Sequence, residues 1–243
     1  MSQSSLSRSL RAVAKLIVKV KGGEIKFPSS IEEETFIKTG FFRKFGIKST
    51  IGAIDCTYIA IIAPPSNNVE RPLNLYLNRK AFYSINVEAV CDHRLRFTFI
   101  NAKFPGATYD SGIWATSDLR EDLIRQHTNT SEQQRRESWL LGDQGYPLEP
   151  WLLTPVGTPN THKEQKYNKL HGSARNCIER AFGVLKSRFR CLLKHRVLHY
   201  SGITFNEIDD GVAEDFDSPI NDYNSSQYVR EGERTRSRYI SIL

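Results

Sequence analysis

Ile51-Gly52-Ala53-Ile54-Asp55-Cys56-Thr57-Tyr58-Ile59-Ala60-Ile61-Ile62 reads as a strand buried on both faces, because β-branched and other apolar residues fill it almost without a break. Pro64-Pro65 then ends it, giving a predicted strand over residues 51–63. Asp55 is the one charge inside the run. Burying a lone carboxylate costs several kcal/mol or forces it to take up a proton, so Asp55 must be hydrogen-bonded, ion-paired or metal-bound. Working outward, residues 31–45 have a helical pattern. Residues 80–92 alternate as a strand through Phe82, Ile85, Val87 and Ala89, turn at His93-Arg94 and pair with residues 95–101 in a hairpin. A helix is predicted over 111–126, a polar loop over 133–138, strands over 139–142 and 151–155, and then a long basic loop to Leu170. Strands followed by alternating helices and strands make an α/β plan.

Two more acids stand in similarly unexpected settings. Asp143 closes Ser138-Trp139-Leu140-Leu141-Gly142-Asp143-Gln144-Gly145-Tyr146-Pro147, where an apolar strand stops against a Gly and Pro turn. Glu179 lies in a helical stretch whose apolar residues Cys177, Ala181, Val184, Leu185 and Phe189 recur at core-facing spacing. Arg175, Glu179, Lys186 and Arg190 follow one another on its flank, a lone carboxylate within a basic stripe suited to phosphate. Each acid also has an ordinary reading. Asp55 could pair with a buried Arg, Asp143 could make its own turn hydrogen bond, and Glu179 could belong to a surface helix ion pair. Trp139, Trp151, Phe182 and Phe189 are expected in the core rather than as platforms for bases.

A chain of 243 residues with 39% hydrophobic content can bury one sizeable core. The net charge of +7 permits a polyanionic partner, and its distribution says more: residues 161–200 hold ten Lys or Arg against Glu164 and Glu179, whereas residues 206–220 hold six acids and no base. Cys56, Cys91, Cys177 and Cys191 form no Cys-x-x-Cys pair, which indicates neither a zinc knuckle nor a disulfide frame. The His residues form no metal-ligand pair on one helix face. No stretch reaches the roughly 18–20 apolar residues that span a bilayer, so no membrane partner is expected. Residues 2–13 read as a capped helix whose Ser and Arg residues could enter a DNA groove, although the lack of acids before Glu24 also fits a transit peptide. From residue 201 the apolar periodicity is lost, residues 209–226 are acidic and polar, and a weak basic helix returns over 228–242 outside the catalytic core.

Four motifs in order carry a resemblance. The run from about residue 27 to residue 200 resembles the nuclease domain of the PIF/Harbinger transposases and of the Harbinger transposase-derived nucleases of animals. It does so through Ile51-Gly52-Ala53-Ile54-Asp55-Cys56-Thr57, Pro105-Gly106-Ala107-Thr108-Tyr109-Asp110-Ser111, Leu141-Gly142-Asp143-Gln144-Gly145-Tyr146-Pro147 with Trp151-Leu152-Leu153-Thr154-Pro155, and Ile178-Glu179-Arg180-Ala181-Phe182-Gly183-Val184-Leu185-Lys186-Ser187-Arg188-Phe189. Thirty-five residues separate Asp143 from Glu179, a spacing common in enzymes with an Asp, Asp, Glu triad.

The resemblance implies an RNase H-like mixed sheet flanked by helices and a nuclease that hydrolyses phosphodiester bonds of DNA with Mg²⁺ or Mn²⁺. Asp55, Asp143 and Glu179 are the implied catalytic metal ligands, Asp110 a further ligand, and Arg175, Lys186 and Arg190 phosphate contacts. The implied domains are 1–26, the remnant of a helix-turn-helix region or a linker; 27–200, the DDE endonuclease; and 201–243, an acidic tail with a weak basic helix. Both ends are expected to be truncated and a core layer to be missing, since the family continues into a further helix with a Leu-His-Asn signature. Tyr58 and Tyr109 stand where relatives usually carry His. The expected location is the nucleus, with the cytoplasm a second compartment, and the expected partners are DNA and a separate DNA-binding protein. The alternative is a catalytically inactive nuclear DNA- or protein-binding derivative of the same fold.

Overall fold

The computed structural model describes residues 3–65, 72–131, 136–195 and 225–243. Five strands form one mixed sheet: β1 (Thr50–Ala60), β2 (Ser84–Cys91), β3 (Phe97–Pro105), β4 (Trp139–Leu141) and β5 (Leu152–Leu153). Their order is β3-β2-β1-β4-β5, with β1, β2 and β3 antiparallel and β4 and β5 parallel to β1. This is the α/β, RNase H-like arrangement of a sheet flanked by helices. The β-branched run takes the central position, as its two-sided burial requires.

Seven helices occur among the described residues: α1 (Gln3–Lys21), α2 (Ile31–Phe45), α3 (Leu73–Tyr76), α4 (Asp110–Ala115), α5 (Asp118–Asn129), α6 (His162–Arg188) and α7 (Ser225–Ser241). One face of the sheet packs Ala53, Ala89, Cys91 and Leu141 against α2 and α6. The other packs Ile54, Val90 and Leu140 against Trp114, Leu119 and Leu123 of α4 and α5. Helix α2 has the predicted bounds because both ends are marked. Ser30 and Glu33 form a reciprocal capping box, and Gly46 closes the far end at φ 74.

Several expectations are corrected. The stretch predicted as one helix over 111–126 breaks between α4 and α5 at Thr116-Ser117, where the Ser117 side chain leaves the helix pattern to donate to Glu88. Residues 80–82 belong to a turn, and β2 starts at Ser84. The basic loop expected to reach Leu170 is helical from His162, since Thr161 and Glu164 form a second capping box. Helix α6 buries Ala174, Cys177, Ile178, Ala181 and Phe182, whereas Val184 and Phe189 are exposed, so its core face is rotated from the one expected. It ends at Arg188, which puts Arg190 in the following 3-10 turn and off the helical stripe. Part of the polar loop and nearly all of the acidic stretch over 209–226 lie outside the described residues.

Helix α7 differs most from its expected place outside the core. It lies along the β5 edge and contributes to both faces, with Tyr239 in one core cluster and Tyr228 in the other. Arg236 donates to the carbonyls of Thr154 and Pro155, and the Tyr239 hydroxyl accepts from the Lys48 amide. The approach is so close that a Cβ on Gly232 would sit 2.9 Å from the backbone of Glu149. Beneath it, the buried Glu149 carboxylate accepts from Trp114 Nε1 at 2.8 Å, from Trp151 Nε1 at 2.9 Å and from Arg120 at 2.7 and 2.9 Å. One acid thus ties α4, α5 and the β4–β5 connection together, and breaking a buried pair strands the remaining charge. Glu149→Gln should destabilise the fold by about 3–5 kcal/mol, read as a lower urea midpoint with an unchanged slope.

Candidate metal centre

Register brings the first two acids together. Ala53 of β1 faces Leu141 at the end of the parallel β4, so Asp143, two residues beyond it, emerges beside Asp55, which stays within β1 opposite Ala89 of β2. Asp110 joins them from the start of α4. One oxygen from each of Asp55, Asp110 and Asp143 lies within 4.8 Å of the others.

Each carboxylate is held by a short-range partner. Asp55 Oδ1 accepts from the Cys56 amide at 2.8 Å and Oδ2 from Arg175 Nη1 at 3.0 Å. Asp143 Oδ1 accepts from the Gly145 amide at 2.8 Å, and Asp110 Oδ1 from Asn86 Nδ2 at 3.1 Å. Burial pushes the Asp55 carboxyl up to about 6; the Cys56 amide and Arg175 oppose this shift, while Asp143 and Asp110 add to it.

Glu179 lies outside the three-aspartate group. One turn of α6 beyond Arg175, it accepts from Arg175 Nη2, and its side chain is about half exposed. Arg175 therefore bridges Asp55 and Glu179. Lys186 is half-buried and donates to Thr57 Oγ1 at 2.7 Å and to the Tyr58 carbonyl at 3.0 Å, and Arg190 is exposed.

The matched family model is described as DDE superfamily endonuclease and covers residues 54–211, well over half of the chain. The chain belongs to the DDE superfamily endonucleases. Among similar proteins, HARBI1 of Bos taurus, named a candidate nuclease, is 34% identical over 79% of this chain and 51% of its own length. HARBI1 of Homo sapiens is 32% identical over the same shares, and an ALP1-like protein of Arabidopsis thaliana is 32% identical over 69% of this chain and 42% of its own. Relatives of this kind are Harbinger transposase-derived nucleases. The chain spans about half the length of the curated relatives it matches first. No solved structure gives a significant match. No helix among the described residues is long and apolar enough to cross a membrane.

The endonuclease fold also places an acid that was not among the expected site residues. Glu88 on β2 is fully buried, opposite Cys56, with Oε2 accepting from Ser117 Oγ at 2.9 Å and Oε1 without a hydrogen-bond partner among the described residues. It sits on the polar phase of an alternating strand, where a charge is expected to face solvent, unlike the unbroken apolar run that singles out Asp55. Burial pushes its carboxyl up to about 7, the Ser117 hydroxyl opposes that, and Asp110 adds to it. A raised acid favours the folded state while protonated, so its contribution is full below the ordinary value and is lost as pH rises through about 7. Stability should fall by on the order of 3 kcal/mol between about pH 4.5 and pH 7 from this group. Denaturant melts of Glu88→Gln at pH 5 and pH 8 should show a correspondingly smaller drop than the parent.

Proposed function

We propose that the protein is a divalent-metal-dependent DNA endonuclease acting in the nucleus, derived from a Harbinger-type transposase. The meeting of three aspartate oxygens within 4.8 Å carries this reading, since a divalent cation among them would relieve the repulsion of like charges that close. The donors fit: all are hard carboxylate oxygens, the type Mg²⁺ and Mn²⁺ prefer. Asp55, Asp110 and Asp143 would hold the ion, with Glu179 as the fourth acid. Bound there, such ions supply water activation and stabilisation of the leaving oxygen in phosphodiester hydrolysis.

The chain's own residues do the positioning. The Cys56 and Gly145 amides each fix one oxygen of Asp55 and Asp143, so these acids keep their orientation without an ion. Arg175 presents a planar guanidinium beside the cluster, the geometry that receives a phosphate through paired N–H groups. Lys186 extends the positive charge along β1 at Thr57 and Tyr58, and Arg190, exposed in the turn after α6, would add a further phosphate contact. A separate DNA-binding partner would share in target choice.

The bridge from Arg175 to Glu179 favours one second reading, a non-catalytic DNA- or protein-binding derivative in which the guanidinium is the permanent counter-ion. Two variants separate the cases. Asp143→Asn should abolish Mn²⁺ binding by calorimetry, whereas Glu179→Gln should weaken it and leave it measurable. Both should cut Mg²⁺- or Mn²⁺-dependent plasmid nicking by about 100-fold or more, the scale of losing a group that stabilises transition-state charge. Nicking by Glu179→Gln equal to the parent's would reject the endonuclease, and a parent without nicking would leave the binding derivative.

A further inference from the structure

Beyond Asp55, β1 borders a cavity of about 290 Å³ lined by Cys56, Thr57, Tyr58, Ala60, Arg79, Lys80, Phe82, Lys186 and Lys194. Four of these side chains are cations, none is an acid, and among the described residues none of the four is ion-paired with a carboxylate. The volume is at the lower edge of the roughly 300–1,000 Å³ typical of small-ligand sites.

The wall that carries two of the cations is firmly built. Buried Asn78 accepts from the amides of Lys80 at 2.8 Å and Phe82 at 3.5 Å, and its Nδ2 donates to Ser84 Oγ at 2.7 Å. Ala81 adopts φ 57, a left-handed conformation that a residue with a Cβ holds only when its surroundings impose it. The turn is closed by the Ala81 amide donating to the Asn78 carbonyl and the Asn78 amide donating to the Phe82 carbonyl, and the Ile61 amide fastens it to β1 through the Tyr83 carbonyl. Arg79 and Lys80 are therefore presented on a fixed support.

The rest of the lining is complementary. Lys186 is pinned on β1 with its ammonium against Thr57 and Tyr58, where burial and the nearby charge of Lys80 lower its pKa, so a bound anion would relieve two crowded cations. The Tyr58 and Phe82 rings meet edge to face with centroids 6.2 Å apart, and Lys194 lies over the Phe82 ring at 4.6 Å. Aromatic faces beside unpaired cations are the combination that holds a base and its phosphate together. Thr57 is two residues along β1 from Asp55, about 7 Å, so a strand threaded past the carboxylates reaches this cavity with an adjacent nucleotide.

We propose that the cavity holds one nucleotide of the DNA strand next to the scissile phosphate, its phosphate met by Arg79, Lys80, Lys186 and Lys194 and its base laid against Tyr58 and Phe82. This rests on the endonuclease reading for its substrate, and its test is independent of turnover. The full chain in EDTA is titrated with a labelled single-stranded thymidine oligonucleotide and followed by anisotropy, with thymidine monophosphate or inorganic phosphate as competitor. The monophosphate should compete at least about tenfold better than phosphate, and Phe82→Ala should erase that difference. Arg79→Ala with Lys80→Ala should weaken oligonucleotide binding about tenfold and lower the salt slope by about 0.7 for each phosphate no longer neutralised; Lys194→Ala, an exposed position, should shift it in the same direction. The control pair Lys103→Ala with Arg125→Ala should bind as the parent does. Equal competition by phosphate, or unchanged binding in both the Arg79/Lys80 and the Lys194 variants, overturns the proposal. Loss of binding in these variants from a protein that does not nick DNA would support the cavity while rejecting the nuclease.

Discussion

The corner where β4 ends beside the middle of β1 must contain mutual repulsion. Parallel register sets Asp55 beside Asp143, α4 delivers Asp110 to the same place, and the low-dielectric core behind them makes each charge costly. Three kinds of partner answer this among the described residues: backbone amides, which take one oxygen of Asp55 and one of Asp143, the Asn86 side-chain amide, which donates to Asp110, and the Arg175 guanidinium, which reaches Asp55 from α6. The rest of the architecture serves that corner. Helix α6 must lie across the sheet to present Arg175 and Glu179, so its buried face of Ala174, Cys177, Ile178 and Ala181 is what fixes the site.

The other face of the sheet solves a similar problem with a different balance. Glu149 is met by donors from two indoles and Arg120, and it unites the helices there. Glu88 has one hydroxyl and a neighbouring aspartate, too little to hold its proton off at the ordinary pH. Two buried glutamates of the same molecule thus differ in how fully donors meet their oxygens. The first is a structural hub. The second couples fold stability to pH just behind the three aspartates.

What is legible in the sequence follows from where local pattern and final environment agree. The run around Asp55 announces a central strand, and the Ser30 and Gly46 boundaries announce α2, because burial and capping leave marks within a few residues. The start of α6 is hidden since its buried face there is Tyr167 and His171 rather than aliphatic residues, although the Thr161 and Glu164 box is present in the chain. Helix α7 is expected over 228–242, but its place in the core escapes for a related reason: its fully buried groups are the rings of Tyr228 and Tyr239, spaced some three turns apart, plus a glycine whose role is close approach. Glu88 and Glu149 carry no local signature at all, because their partners come from other elements. Asp55, Asp110 and Asp143 can be named from motifs, but their separation in space cannot, since it depends on strand register.

Each acid at the corner has two competing readings in the sequence, and the structure realises the ordinary one every time: Asp55 pairs with an Arg, Asp143 caps its own turn, and Glu179 forms a helix ion pair. These interactions do not compete with a metal role in the way the alternatives suggest. A turn amide occupies one oxygen of an aspartate and leaves the other. The Arg175 salt bridge to the half-exposed Glu179 is worth little and exchanges readily, whereas a divalent ion neutralises several carboxylates at once. The same geometry therefore keeps three aspartates tolerable in a folded chain and keeps them together for a stronger cation. Arg175, released from Asp55 and Glu179 by such an ion, would face the phosphate whose charge the ion alone does not cover.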